Sequence, residues 1–175
     1  MTDSEQRWHF LPIEKKYRRD SFDCGYPILN EYLKKYARQN HQKRIAKTWV
    51  AIPQNGGLRV DGYYTVSASV IEFESLPQSY QNQLPAYPIP AVLIGKLAVD
   101  NRVKGQGLGR ELLADALLRA VRASEQLGIF AVRVDAIDSK AKEFYLKYEF
   151  VPFQDRELSL FLPIEAIEGE FLGSC

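Results

Sequence analysis

The chain has 175 residues, 46% hydrophobic and 26% charged, with a formal net charge of +1, the balance of an ordinary soluble globular protein rather than a disordered or fibrous one. That length fits a single domain over residues 1–175, with enough chain to bury a core unaided. A charge so near zero does not by itself demand a nucleic-acid or membrane partner, and two cysteines, Cys24 and Cys175, make neither a disulfide framework nor a metal site.

In chain order, the opening MTDSEQRWHF is polar and lacks an apolar h-region, and nothing later reaches the roughly 18 to 20 apolar residues of a membrane span. A cytoplasmic location without membrane contact is therefore expected. Residues 28–44 carry Ile28, Leu29, Tyr32, Leu33, Tyr36 and Ala37 at spacings of three and four, one stripe of an amphipathic helix. Residues 48–52, a Gly56-Gly57 turn and the β-rich run 58–73 predict a hairpin with a long second strand. Four prolines make 75–90 a surface loop, and 91–99 is a nearly continuous apolar run, as in a strand covered on both faces.

Residues 108–126 are the clearest helix, with Leu112, Leu113, Ala116, Leu117, Ala120 and Val121 on one stripe and Gly128 closing it. A strand at 130–136, a short helix at 139–147 and strands near 150–153 and 158–162 complete the elements. From about residue 164 the chain is acidic at Glu165, Glu168 and Glu170 and is expected to pack loosely as a tail. The order predicts an α/β (α+β) fold, a mixed sheet with helices on both faces.

The chemistry concentrates in Leu97-Ala98-Val99-Asp100-Asn101-Arg102-Val103-Lys104-Gly105-Gln106-Gly107-Leu108-Gly109-Arg110. A buried strand runs into a loop with glycines at alternate positions, which opens the longest helix. Glycine lets a ligand approach the backbone closely, the helix start presents unpaired N–H groups, and its dipole favours an anion such as a pyrophosphate. Arg102, Lys104 and Arg110 add positive charge. A Walker A loop needs Gly-Lys-Ser/Thr and a dinucleotide fingerprint needs G-x-G-x-x-G, and the loop has neither.

Arg102-x-x-Gly105-x-Gly107 resembles the acetyl-CoA signature of GNAT acetyltransferases, and the element order resembles theirs from end to end. The resemblance implies a GNAT fold with a mostly antiparallel sheet and acetyl-CoA as co-substrate. It assigns the pantetheine and acetyl group to the backbone of Leu97, Ala98 and Val99. The pyrophosphate falls to amides between Lys104 and Arg110, including those of Gly105, Gln106, Gly107, Leu108 and Gly109. Downstream, the segment from Asp138 to Phe150 resembles the second family motif, with Glu149 where the family usually has glycine. By that resemblance the Tyr145 hydroxyl serves the thioester sulfur. A phenol, with an ordinary pKa near 10, is protonated at neutral pH and can protonate a leaving thiolate.

No Glu or His lies on the strand 91–99 to act as a base. Without one, an α-amine of pKa about 7.7–8.0, lower still beside an ester, is a better acceptor than a lysine at about 10.4. Lys34, Lys35, Arg38, Lys43 and Arg44 cluster along the first helix, a footprint for a phosphate backbone. The stretch Ser21-Phe22-Asp23-Cys24-Gly25, with Leu29-Asn30 and Tyr32-Leu33 beyond it, resembles the GNAT toxins of toxin–antitoxin modules. That resemblance implies aminoacyl-tRNA as acceptor and a ribbon-helix-helix antitoxin as partner. The late strands at 150–162 could pair across a homodimer, as in related enzymes. Rival readings are a housekeeping GNAT enzyme acting on a small amine or protein N-terminus, a non-catalytic acetyl-CoA sensor, and a transferase built on Cys24.

Overall fold

The computed structural model describes residues 7–171; Cys175 and the first six residues lie outside them. The elements are β1 (Trp8–Pro12), α1 (Pro27–Glu31), a π-helical turn (Tyr32–Tyr36), α2 (Ala37–Gln42), β2 (Lys47–Pro53), β3 (Gly62–Ile71), α3 (Gln78–Gln81), β4 (Ile89–Val99), α4 (Leu108–Ser124), β5 (Ala131–Asp135), α5 (Ser139–Lys147), β6 (Val151–Pro152), β7 (Ser159–Pro163) and α6 (Ile164–Phe171). Seven strands form one sheet in the order β1-β2-β3-β4-β5-β7-β6. The β4/β5 pair is parallel, and β1/β2, β2/β3, β5/β7 and β6/β7 are antiparallel, the mixed, mostly antiparallel sheet expected. A parallel pair needs a crossover, and α4 supplies it with all six residues of its apolar stripe buried.

The chain packs as two compact units, one formed by residues up to 67 with 96–116, the other by 68–95 with the residues from 117 on. In the first, Leu29, Leu33 and Ala37 enter a core with Ile13, Phe22, Val50, Tyr63 and Ala98. Ile28 and Tyr36, expected on the same stripe, are 66% and 49% exposed. The π-turn is the reason: the Ala37 N–H bonds the Tyr32 carbonyl, five residues back. A spacing of four overshoots an α-turn and falls short of a π-turn, so the two drifts cancel and keep 29, 33 and 37 in line. Residues 28, 32 and 36 rotate outward.

The second strand of the hairpin begins at Gly62 rather than at 58. Residues 58–60 instead form a short parallel bridge with Arg18, where Arg18 N donates to Leu58 O (2.7 Å) and Val60 N to Arg18 O (3.0 Å). Gly62 is where β3 crosses β4 closely: a Cβ there would lie 3.0 Å from the Ala98 carbonyl oxygen and 2.9 Å from Leu112.

In the second unit, Ile71, Leu76, Ile89, Ala91, Ala131, Phe153 and Phe161 share a core, and β7 is buried along its whole length. Two expectations are corrected here. The segment 75–90 is not wholly a loop, because Pro77 starts α3 and sends Tyr80 against Phe161, ring centroids 5.0 Å apart. The acidic residues after 163 do not form a loose tail. Ile164 and Ile167, one helical turn apart, are buried, and Ile164 N donates to Phe130 O at 2.9 Å, so their burial folds the segment as α6.

Candidate functional site

Where β4 ends, Asp100 is 1% exposed and organises the loop. Its carboxylate accepts from Arg102 N (2.8 Å), Arg102 Nε (2.9 Å), Arg102 Nη2 (3.0 Å) and Asp23 N (3.1 Å). Burial pushes the Asp100 pKa up, but the Arg102 donors and the two backbone N–H groups outweigh it and hold the carboxyl below its ordinary range. Asp100 N donates to Asp61 O and Asn101 N to Asp23 O, both at 2.8 Å. The Asp61 carboxylate in turn takes the Trp8 indole and the Arg59 guanidinium, both at 2.9 Å.

Lys104 Nζ donates to the Cys24 carbonyl at 2.8 Å. Arg102 and Lys104, expected as charges around a phosphate, thus brace the base of the loop against the turn at 23–25. That turn is itself tied: Asp23 Oδ1 accepts from Gly25 N and Asn30 Nδ2, and Cys24 N donates to Asn30 Oδ1, each at 2.9 Å. The sequence reading missed Asp23, Asn30, Asp61 and Asp100 as braces; the signal for Asp23 was an Asp two residues before a glycine, an Asx-turn pattern. Cys24 is a buried, free thiol whose pKa is raised by that burial, the state of an inert cysteine rather than a nucleophile.

Beyond the braces the loop opens. Gly105 and Gly107 have φ of 81° and 87°, and a Cβ on either would meet nothing within 4 Å. Leu108 is buried and anchors the start of α4, while Gln106 and Arg110 are exposed. Glu111 N to Gly107 O, at 3.2 Å, opens the helical ladder, so the N–H groups of Leu108, Gly109 and Arg110 precede it and have no intrahelical acceptor. The result is an open cradle of N–H donors at the positive end of a 17-residue helix. On β4, Ala98 is buried and Leu97 and Val99 are half-buried, so this stretch is less covered than a strand enclosed on both faces.

Of the basic helix residues, Lys34, Lys35, Lys43 and Arg44 are exposed and Arg38 is half-buried. Lys35 pairs with Glu31 at 3.0 Å, an i,i+4 ion pair. Arg44 has φ of 60° and, with Ile45 N donating to Asn40 O at 3.0 Å, closes α2 in a Schellman motif.

In the second unit, the Asp138 carboxylate caps α5 by accepting from Ala141 N at 2.8 Å, and Tyr145 is 6% exposed. Burial pushes its phenol well above the ordinary value. The helix ends in a second Schellman motif: Glu149 N donates to Leu146 O (3.1 Å) and Phe150 N to Tyr145 O (3.3 Å). The accompanying hydrophobic contact is between the Tyr145 and Phe150 rings, 5.4 Å apart. Glu149, in place of the usual glycine, has φ of 67°, so the glycine geometry is kept without the glycine.

An open cradle of N–H donors at the head of a long helix, fed by a half-covered strand, has the form of an acyl-CoA-dependent transferase's coenzyme loop. The chain belongs to the GNAT family: residues 45–152 match the family model described as acetyltransferase (GNAT) domain. It is 34% identical to a tRNA-acetylating toxin of Mycobacterium tuberculosis over 74% of this chain and 76% of that protein. A probable toxin TacT of Sinorhizobium fredii is 29% identical over 88% and 89%. Among solved structures, a tyrosine-to-phenylalanine mutant of KacT superimposes with a TM-score of 0.90 at 33% identity, covering 95% of this chain and all of that one. AtaT complexed with acetyl-methionyl-tRNAfMet gives 0.86 at 33% identity over 94% and 98%.

Proposed function

We propose that this acetyltransferase moves the acetyl group of acetyl-CoA to the α-amine of an aminoacyl-tRNA and is the toxin of a type II toxin–antitoxin module. The observation that carries the reading is the likeness, over nearly the whole chain, to AtaT in its complex with an acetylated aminoacyl-tRNA. The exposed cations Lys34, Lys43 and Arg44, with Arg38 beside them, supply the surface that a tRNA phosphate backbone needs. Its partner is a ribbon-helix-helix antitoxin, it acts in the cytoplasm, and it forms a homodimer. AtaT has been solved bound to the C-terminus of the antitoxin AtaR, which supports an antitoxin as partner. No helix among the described residues is long and apolar enough to cross a membrane.

The residues divide the work as follows. The amides of residues 104–110 hold the pyrophosphate, and the backbone of Leu97, Ala98 and Val99 aligns the pantetheine and the thioester. The neutral α-amine attacks the thioester carbonyl and the thiolate leaves. Tyr145 keeps its proton at neutral pH because burial disfavours the phenolate; it donates that proton as the C–S bond breaks, and the proton shed by the acylated nitrogen returns through water to restore the phenol.

The test mixes the full chain with labelled acetyl-CoA and total tRNA, charged or deacylated, beside a Tyr145→Phe variant. Label on charged tRNA alone, with kcat down roughly 10²- to 10⁴-fold in the variant and acetyl-CoA affinity kept, is the expected result. Acetyl-CoA binding with no label on either RNA would move the acceptor to a small amine or a protein.

A further inference from the structure

The π-turn does more than keep a core stripe in register. By rotating residues 28, 32 and 36 outward it builds a file of rings from the core to the surface. Tyr63 is fully buried, with its hydroxyl on Leu29 O at 2.7 Å. Its ring stacks on Tyr32 at 6.4 Å and 15°, and Tyr32 meets the exposed Tyr36 at 6.4 Å and 37°. Asn40 Nδ2 donates to the Tyr32 hydroxyl at 3.3 Å, fixing that ring. Over its face, 4.1 Å from the centroid, lies Nζ of Lys96.

Lys96 is the sole ionisable residue of β4 and immediately precedes Leu97. It is half-buried, and desolvation alone, with no neighbouring charge to offset it, pushes the ammonium pKa down. A desolvated cation is costly unless an anion joins it, and the ring face meets only part of that need. An exposed ring and a cation with no paired anion among the described residues, both set against the Tyr32 ring, suit a ligand with both a flat base and a phosphate.

We propose that Tyr36 and Lys96 receive the unpaired 3′ end of the acceptor RNA, the Tyr36 ring stacking on a base and the Lys96 ammonium holding an adjacent phosphate. This rests on the aminoacyl-tRNA reading, because the reacting amine is then esterified to that 3′ end. Lys96 directly precedes the backbone of residues 97–99 that the amine has to reach. Single strands are gripped in this way, by aromatic stacking with a cation on the backbone. Lys34 and Lys43, exposed on the same helical stretch, complement the phosphates upstream.

The experiment titrates the full chain into an RNA minihelix ending in CCA with 2-aminopurine at the terminal position. Wild type and Tyr36→Phe are expected to quench the fluorophore. Tyr36→Leu should lose the quench and bind roughly five- to a hundredfold more weakly. Lys96→Met should keep the quench and lower the slope of log affinity against log salt by about 0.7, with acetyl-CoA affinity unchanged. Circular dichroism melts of all variants establish that the fold is intact.

A Tyr36→Leu variant that quenches and binds like wild type overturns the stacking. A Lys96→Met variant that loses acetyl-CoA affinity but keeps the RNA salt slope assigns the ammonium to the coenzyme's phosphates and overturns the rest. Wild-type protein that acetylates charged tRNA while Tyr36→Leu is unaffected sinks this inference and spares the aminoacyl-tRNA reading. Wild-type protein that neither binds the minihelix nor labels charged tRNA sinks both.

Discussion

Replacing Glu149 with glycine is expected to stabilise the protein, although the side chain is exposed. Its φ of 67° lies in the left-handed region, where a Cβ costs about 1–2 kcal/mol. Glycine removes that cost but returns about 0.5–1 kcal/mol through the extra freedom of its unfolded chain. The net gain is about 0.5–1 kcal/mol, which for a protein of this size raises Tm by about 1–4 °C. Both Schellman hydrogen bonds use backbone atoms and survive, and so does the contact of Tyr145 with Phe150, so kcat should stay at the wild-type level.

A second effect has to be separated from the backbone one. The Glu149 carboxylate hydrogen-bonds Glu170 and, as a like charge, helps push the Glu170 pKa up. A carboxyl whose folded pKa is raised destabilises the fold above its ordinary range and ceases to do so below it. Glu149→Ala keeps the strained Cβ but removes the carboxylate, so its gain should be small at pH 7 and vanish on acidification, whereas the glycine gain persists. Urea and thermal unfolding of both variants at pH 7 and pH 4 separate the two. Equal shifts for Gly and Ala, or a lower Tm for Gly, would refute the backbone argument.

Gly62→Ala should destabilise by about 1–3 kcal/mol in urea unfolding: the Leu108 and Leu112 side-chain tips can give, but the Ala98 carbonyl at 3.0 Å is backbone and cannot. His41 Nδ1 accepts from Thr48 N at 3.0 Å, which requires a neutral ring, and burial, with Lys47 nearby, lowers its pKa below 6.5. A histidine with a depressed folded pKa contributes stability that is present above the unfolded value and lost as pH falls through the folded one. Stability should therefore drop below about pH 6.5, and His41→Gln should flatten that part of the profile; an unchanged slope would dismiss the bond.

What could be read in the sequence was what local pattern controls. The α4 stripe of Leu112, Leu113, Ala116, Leu117, Ala120 and Val121 is buried as its 3.6-residue period demands, and α5 starts and ends where expected. The π-turn was not legible, because spacings of three and four both fit an α-helix. The residues that share the core with Leu29, Leu33 and Ala37, such as Tyr63 and Ala98, are brought near them only by the fold. Helix α6 was hidden because Glu165, Glu168 and Glu170 mask an Ile164–Ile167 pair that acquires meaning only against buried neighbours. At the loop, the glycines announced a backbone approach, but the sequence does not say where long side chains point. Arg102 reads as a phosphate ligand until Asp100, buried two residues earlier, is seen to hold its guanidinium.

That placement has a consequence for coenzyme binding. With Arg102 on Asp100 and Lys104 on the Cys24 carbonyl, Arg110 is the basic side chain of the loop, among the described residues, that has no such internal acceptor. In the proposed site the pyrophosphate is then held mainly by N–H groups and the helix dipole, short-range terms acting within the first turn. Acetyl-CoA affinity should accordingly vary no more than about fourfold between 50 and 200 mM salt, roughly one charge's worth. The proposed tRNA surface is different in kind. Lys34, Arg38, Lys43 and Arg44 are separate cations, and Lys35 is already paired with Glu31. These four phosphate contacts give a slope near −3.6, to which Lys96 on the unpaired end adds about −0.7, so a fourfold rise in salt should weaken tRNA binding by roughly a few hundredfold. Calorimetry with each ligand at 50, 100 and 200 mM salt checks both. If acetyl-CoA shows a slope as steep as tRNA, then Arg102 and Lys104 leave their internal acceptors for the phosphates, and the bracing role assigned to them here fails.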